Sequence, residues 1–532
     1  MGREGKLADR ESYKDKALKT AAKGSVIVFF GMLFDRGFGY LTRLVLARGL
    51  TLPEYGLFFL ATSILTIGIT LAVNGFHGAV IRYVAYYLGK NDKKRLLGTI
   101  RSAFELGICL SIIVFLVMFF FAEAIASFFS GPELVPLIRM FSFVILSIAF
   151  LRIPIAVTMG LKTMKYDVFI KRVFKAVSTL IILLVLFFTG FGLMGAVYAY
   201  IIGYFSTAVL AYYFMRKKLK SVIGDYSARE PMARKLLTFS LPLVFSGIIW
   251  SILGHLDIIM LGMFKTLSDV GLYNIALPHA QLLLVIPPVL FALNFPIASY
   301  LYSKNKMNEM AGIYRTMTRW NLYLNFPVFL VIFSFPNEMI GFFFGQEFTI
   351  NGIAAGVQMI LAIGYFVYSF VALPRYIIIV LERTQLVFVN SIAVLVMNIL
   401  LNLLLIPPYG LNGAAAATTL SFIFFYALNY VESYKISRSY LSGAHLFEWN
   451  MLKSLVVGVC AIAMARFIHS VFFVTNNMGF LFSATIFLVI YAALLFFMKG
   501  LQKDDVFLLE VLENRLGIRN KRLSKIINRF SH

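Results

Sequence analysis

Apolar runs long enough to cross a bilayer recur from Ser25 to Met498, divided by short polar breaks. The pattern predicts fourteen spans, at roughly 24–46, 56–82, 98–121, 134–158, 168–189, 192–214, 236–262, 271–301, 312–335, 351–379, 384–406, 410–431, 451–471 and 478–498. Each must be helical, because lipid offers no partner for backbone N–H and C=O groups. The expected fold class is therefore an all-α polytopic membrane protein with fourteen transmembrane helices.

One segment of this pattern is written twice. Residues 86–133 and 300–347 align without a gap at an offset of 214, with 16 of 48 positions identical. The identities include polar and glycine positions, such as Lys90/Lys304, Asn91/Asn305, Gly98/Gly312 and Arg101/Arg315. Apolar composition alone would not keep those in register. The match extends outward: LxxxGL at 52–57 recurs at 267–272, Pro154 and Leu161 recur as Pro374 and Leu381, and FGLMGA at 191–196 recurs as YGLNGA at 409–414. Spans 1–6 and 7–12 then read as two copies of a six-helix unit. Six is even, so both copies enter from the same side as parallel repeats related by an axis along the membrane normal. The expected organisation is a tail (1–23), an N-lobe (24–215), a linker (216–235), a C-lobe (236–434), an extra helix pair (435–499) and a basic amphipathic tail (500–532) lying on the inner surface.

Charge fixes the orientation. The tail before span 1 carries seven Lys and Arg, and further basic clusters follow spans 2, 4 and 6. The loops on the other side have almost none, so both termini are expected in the cytoplasm, with the protein in the cell membrane. A net charge of +24 could suggest nucleic acid, but its confinement to alternate loops is what a polytopic membrane protein requires. Only 14% of residues are charged, against about 25% in a soluble protein. Cys109 and Cys460 both lie in apolar runs, so neither a disulfide framework nor a metal site is indicated.

The chemistry lies where charge interrupts the apolar pattern. Span 1 carries Asp35, Arg36 and Arg43, with Arg48 just beyond. Arg36 lies roughly 18 Å into the span at 1.5 Å per residue, near mid-membrane. A charge there costs ~3 kcal/mol unless it faces protein or water. Arg36 and Arg43 read as an anion site, since guanidinium presents a forked donor that matches phosphate; a structural Asp–Arg lock is the other reading. Arg48 either snorkels to the outer interface or touches substrate. The second copy has Trp250, Ser251, Ile258 and Met263 at these positions, so an anionic end would be held mainly by the first lobe. Arg82, Arg152 and Arg375 are candidates for the inner vestibule. His77, His255 and Asp257 are candidates for an ion or gating role, or a hydrogen-bonded structural pair in the case of the last two. Pro154 and Pro374 are candidate hinges. No catalytic residues are indicated.

The opening KGSVIVFFGMLFDRGFGYLTRLVLARGLTLPEYGLFFLATSI, the stretch VIRYVAYYLGKNDKKRL and the two Phe-Phe-x-Gly-x-Glu ends carry a family resemblance. The chain resembles the polysaccharide-export, or oligosaccharide flippase, branch of the multidrug/oligosaccharidyl-lipid/polysaccharide exporter superfamily. The resemblance implies translocation of a polyprenyl-(pyro)phosphate-linked oligosaccharide from the inner to the outer leaflet by alternating access, with Arg36 and Arg43 in a cationic cavity. It implies a lipid-linked substrate, contact with membrane lipid, and no nucleic acid. No cofactor is expected, and coupling to a proton gradient, a sodium gradient or the membrane potential stays open. The chain is expected to act as a monomer, with glycan-assembly enzymes as candidate partners. A cation or drug antiporter of the multidrug and toxin extrusion branch is the alternative. A membrane glycan polymerase or glycosyltransferase is disfavoured by the short outer loops.

Overall fold

The structure, a computed structural model, describes residues 30–129, 131–224, 228–291, 298, 301–302, 304, 306–349, 351–437, 449–472 and 477–497. The tails at 1–23 and 500–532 lie outside the described residues, as do Asn294 and Pro296. Helices account for all the regular structure among those described. They are α1 (30–49), α2 (Leu52–Gly89), α3 (Lys93–Phe120), α4 (Leu134–Gly160), α5 (Lys175–Phe188), α6 (Gly192–Ile223), α7 (Ala233–Phe264), α8 (Leu267–Gln281), α9 (Met307–Ser334), α10 (Ile353–Val380), α11 (Thr384–Ser437), α12 (Trp449–Phe472) and α13 (Asn477–Phe497).

Among the described residues, nine helices are long and apolar enough to cross a membrane, or ten if α9 and the short helix Pro336–Phe343, which meet at 83°, form one span. This is fewer than the fourteen expected, for local reasons. Helix α1 carries four charges. Helix α5 is only 14 residues long, because Val168–Phe174 before it is wound as a π-helix. Helix α11 is one run of 54 residues broken at Gly410, whose φ of 56° is left-handed. Helix α6 continues to Ile223, so residues 216–223 of the expected linker extend a helix.

The positions matched in sequence adopt matched local geometry. At the start of α2, Thr51 N–H and its hydroxyl donate to Glu54 Oε2 at 2.9 and 2.7 Å. At the start of α8, Thr266 does the same to Asp269 Oδ2 at 3.1 and 2.8 Å. Both starts are capping boxes, in which side chains satisfy orphan N–H groups. Helices α4 and α10 end alike. Lys162 and Glu382 both have φ 60°, and Thr163 N–H and Arg383 N–H each bond to the carbonyl five residues back, at 3.0 Å. Gly192, at φ 52°, corresponds to Gly410.

The chain divides into two compact units. The first holds 31–276 and 391–421; the second holds 277–390 and the described residues from 422 onward. In the first, α2 is the central post and packs against α3, α4 and α7, while α6 packs on α4 and α5. Its core includes Phe58, set edge-on to Phe141 and Tyr200 at 5.7 and 5.1 Å. The two LxxxGL motifs meet inside it. A Cβ on Gly56 would strike the carbonyl oxygen of Leu267, and one on Gly271 would lie 2.6 Å from that of Leu52. In the second unit α9 packs against α10 and α12, and α12 against α13. Met310, Tyr314, Met317, Leu373, Tyr376 and Ile377 form part of its core. Phe188, Val209, Leu404 and Phe467 are largely exposed, as suits side chains that face lipid.

Gly56→Val is expected to lower the stability of the first unit by roughly 1–3 kcal/mol, since helix backbones leave no room for overpacking there. Gly254→Ala, whose Cβ meets nothing within 4 Å inside helix α7, serves as control and is expected to be no less stable than wild type, with a gain of up to about 1 kcal/mol. Thermal unfolding in detergent reads both.

Candidate functional site

The first unit contains three polar clusters. The first surrounds Arg43, which is half-buried on α1. Its guanidinium lies 4.5 Å above the centre of the Phe59 ring and donates through Nη1 to the carbonyl of Asn274 at 3.4 Å. The phenols of Tyr40, Tyr55 and Tyr200 and the imidazole of His255 stand within its field. Asn274 Oδ1 is buried there without a hydrogen-bond partner. Arg43 therefore meets π-faces and neutral oxygens. A cation in that setting attracts an anion more strongly than one paired with a carboxylate would. Asp35, Arg36 and Arg48 are exposed on the same helix.

The second cluster surrounds Asp257, which is buried on α7. Its carboxylate accepts from Tyr273 Oη at 2.5 Å, Thr418 Oγ1 at 2.6 Å and Asn402 Nδ2 at 3.1 Å. Asn398 extends the network: its Oδ1 accepts from Asn402 Nδ2 at 3.3 Å, and its Nδ2 donates to Thr418 Oγ1 and Ser421 Oγ at 3.3 and 3.2 Å. Asn402 Oδ1 is buried without a partner. The carboxylate and two hydroxyl oxygens, those of Tyr273 and Thr418, thus come together inside the helices, oxygen chemistry that suits a proton or a hard cation. His255 takes no part in this cluster. Its Nδ1 lies 3.2 Å from Ser63 Oγ on α2. Of the two readings, an ion or gating role or a structural pair, the direct pair is not formed, since two steps along a helix turn a side chain by about 200°.

The third cluster lies around the π-helical segment. Lys171 sits among Arg152, Asp167, Arg172 and Lys175. His77 Nδ1 lies 3.4 Å from the carbonyl of Arg152. Lys175 Nζ lies 4.0 Å from the centre of the Tyr204 ring, which also feels Arg152 and Asp35. The structure thus brings together Asp35, His77 and Arg152 from the sequence candidates. It adds Lys171, which the sequence places among the basic residues after span 4, and Lys175 and Tyr204, which the sequence does not single out. Arg82 is exposed at the end of α2, over the Phe239 ring at 4.6 Å.

Arg375 is half-buried in the second unit, near Tyr368. There His279 Nδ1 meets Gln358 Oε1 at 2.6 Å, and Gln358 Nε2 donates to the Ile332 carbonyl at 3.0 Å. Glu338 pairs with Arg466. Pro154 and Pro374 are buried inside α4 and α10. Glu105 pairs with Arg101 at 2.6 Å. Among the described residues, no three His, Cys, Asp or Glu side chains are grouped to hold a metal.

Long apolar helices that enclose a guanidinium and a carboxylate define a polytopic membrane protein with a polar interior. The family model described as polysaccharide biosynthesis protein matches residues 21–301, more than half of the sequence, and the chain belongs to that family. The MatE family model matches residues 242–404. The chain is 30% identical over 190 residues to the "Probable low-salt glycan biosynthesis flippase Agl15" of Haloferax volcanii; this covers 36% of the chain and 40% of that relative's length. It is 24% identical over 437 residues to the "Uncharacterized membrane protein MJ1068" of Methanocaldococcus jannaschii, covering 77% and 82% of the two. Among solved structures, the lipid II flippase MurJ in an inward closed conformation has the same fold, with a TM-score of 0.69 and 14% identity, covering 88% of this chain and 98% of that one.

Asp257→Leu would leave the Tyr273 and Thr418 hydroxyls and the Asn402 amide without their acceptor. The expected loss is on the order of 3 kcal/mol, read as a lower unfolding temperature in detergent. Asp257→Asn keeps an acceptor oxygen and is expected to lose less.

Proposed function

We propose that the protein is a flippase for polyprenyl-(pyro)phosphate-linked oligosaccharide, carrying the headgroup from the inner to the outer leaflet by alternating access. The observation that carries this reading is Arg43, a half-buried guanidinium framed by Phe59 and tyrosines. Phosphate meets the charge there, and sugar rings meet aromatic faces. Arg36, exposed on the same helix, and Arg48 extend the cationic path, with Arg82 and Arg152 toward the inner mouth of the first unit; Arg375 is the candidate of the same kind in the second unit. The family and the name of the Haloferax relative support the same reading. The protein transports and does not catalyse a covalent step.

The fuller architecture in this reading has fourteen spans: two parallel six-helix repeats as N-lobe and C-lobe, with a further helix pair. The paired caps at Thr51 and Thr266 and the paired turns at Lys162 and Glu382 support the duplication. Both termini are cytoplasmic, and the chain works as a monomer supplied by glycan-assembly enzymes. Transport is coupled to a cation gradient through Asp257, whose oxygen cluster would hold a proton or sodium ion. That acidic site and the MatE match favour a second reading, a cation or drug antiporter.

In proteoliposomes loaded with a fluorescent polyprenyl-diphosphate sugar, Arg43→Ala is expected to slow exposure in the opposite leaflet by about tenfold or more. Unchanged rates in both Arg36→Ala and Arg43→Ala would sink the anion site. With the same assay, Asp257→Asn is expected to remove the dependence on an imposed sodium or proton gradient. Dye efflux driven by that gradient, with no lipid movement, would establish the antiporter instead.

A further inference from the structure

A cavity of about 580 Å³ opens beside the end of α2 and the start of α7, within the first unit. Tyr83, Arg234, Lys235, Thr238 and Phe239 line it, and Pro231 and Met232 form its other wall. That volume is in the range of pockets that hold small molecules.

The wall is built, not merely adjacent. A Cβ on Gly98 of α3 would collide with the carbonyl oxygen of Glu230, so the glycine lets the incoming chain lie directly on α3. Met232 N–H donates to Ser102 Oγ at 3.0 Å, and Arg95 Nε donates to Glu230 Oε1 at 3.1 Å. Three contacts on successive turns of α3 thus hold residues 230–232 in place.

The lining holds two cations, Arg234 and Lys235, and two rings, Tyr83 and Phe239, with Arg82 the chain neighbour of Tyr83. Lys235 Nζ lies 5.3 Å from the centre of the Tyr83 ring and donates to Tyr87 Oη at 3.1 Å. Arg82, next to Tyr83, lies over Phe239, and Tyr83 meets Phe239 edge-on at 5.6 Å. The nearby carboxylates are already engaged: Asp92 and Glu230 both pair with Arg95. Among the described residues, Arg82, Arg234 and Lys235 have no carboxylate partner. Positive-inside charge alone explains cations at this end of the helices. It does not explain why Arg82 and Lys235 are held over aromatic rings that line a cavity with a pinned wall.

We infer that this cavity binds a phosphate carrying a sugar or polyol ring at the membrane surface, with Arg82, Arg234 and Lys235 on the phosphate and Tyr83 and Phe239 on the ring. The inference rests on the flippase reading for its orientation, which puts this end at the cytoplasm. It adds a loading site separate from Arg43. Two membrane components carry this chemistry: the lipid-linked sugar itself and an inositol phospholipid.

The test uses the purified full-length protein in the Arg43→Ala background, so that the first cluster does not contribute. Binding of farnesyl-diphosphate-linked N-acetylglucosamine and of dioctanoyl phosphatidylinositol is measured by calorimetry. The double change Arg82→Gln, Lys235→Gln is expected to weaken binding by about tenfold or more. Phe239→Ala is expected to weaken it severalfold, and Arg82→Lys to restore most of it. Selective loss for the farnesyl probe identifies the transported lipid as the occupant; selective loss for phosphatidylinositol identifies a resident lipid. Undiminished binding of both probes in the double variant and in Phe239→Ala, with unfolding temperatures at the parent value, overturns the inference. Binding that responds to these changes in a protein that flips no lipid would keep the cavity and reject the flippase reading.

Discussion

One buried carboxylate, Asp257, ties together several helices of the first unit. Asp257 on α7 binds Tyr273 of α8, Asn402 of one arm of α11 and Thr418 of the other. Lipid offers no solvation to such a group, so its donors must come from neighbouring helices. This explains a feature that chain order does not. The middle of α11, residues 391–421, belongs with the first unit, while its two ends belong with the second. Gly410 allows this, because its left-handed backbone breaks the helix, turns the chain and lets both arms face one aspartate.

The same constraint gives Arg43 its character. Asp257 is surrounded by donors and Arg43 by π-faces and carbonyl oxygen, so each charge is satisfied locally and neither neutralises the other. For the ion-coupled transport proposed above, keeping them apart matters. An anion site already closed by a carboxylate would have to break an ion pair with every cycle. A carboxylate already closed by an arginine would have nothing to offer a coupling ion.

Much of this was legible in the sequence, and the gaps have physical causes. The offset between repeats marked where local geometry would recur, because capping boxes and left-handed turns depend on only a few residues: Thr51 and Glu54, Thr266 and Asp269, Gly192 and Gly410. Arg43 and Asp257 stood out because charge in an apolar run is costly. Their partners did not. Asn398, Asn402 and Thr418 are neutral and lie more than 140 residues from Asp257 along the chain. Hydropathy averages such residues away; only the four-residue spacing of the two asparagines hinted at a shared face. Lys171 was hidden for the opposite reason. In a membrane protein, basic residues near a span are expected as topogenic charge, and nothing local separates those from cations gathered around Arg152 and Tyr204. The structure has nine or ten helices long and apolar enough to cross a membrane among the described residues, against the fourteen expected, because charge on α1, the shortness of α5 after its π-wound start and the merging of both arms of α11 into one run lower the count.

The π-helical segment Val168–Phe174 has a mechanical meaning beyond its charges. A π turn holds one residue more than an α turn, and the surplus can migrate along a helix while the remaining hydrogen bonds re-form behind it. As it passes, each residue rotates by about 100° about the helix axis, the angular step of one α-helical residue. Helix α5 therefore carries a wound-in twist next to four cations. Its passage would re-aim Lys171 and Lys175 like the teeth of a ratchet, with no hinge opened and no backbone group exposed to lipid.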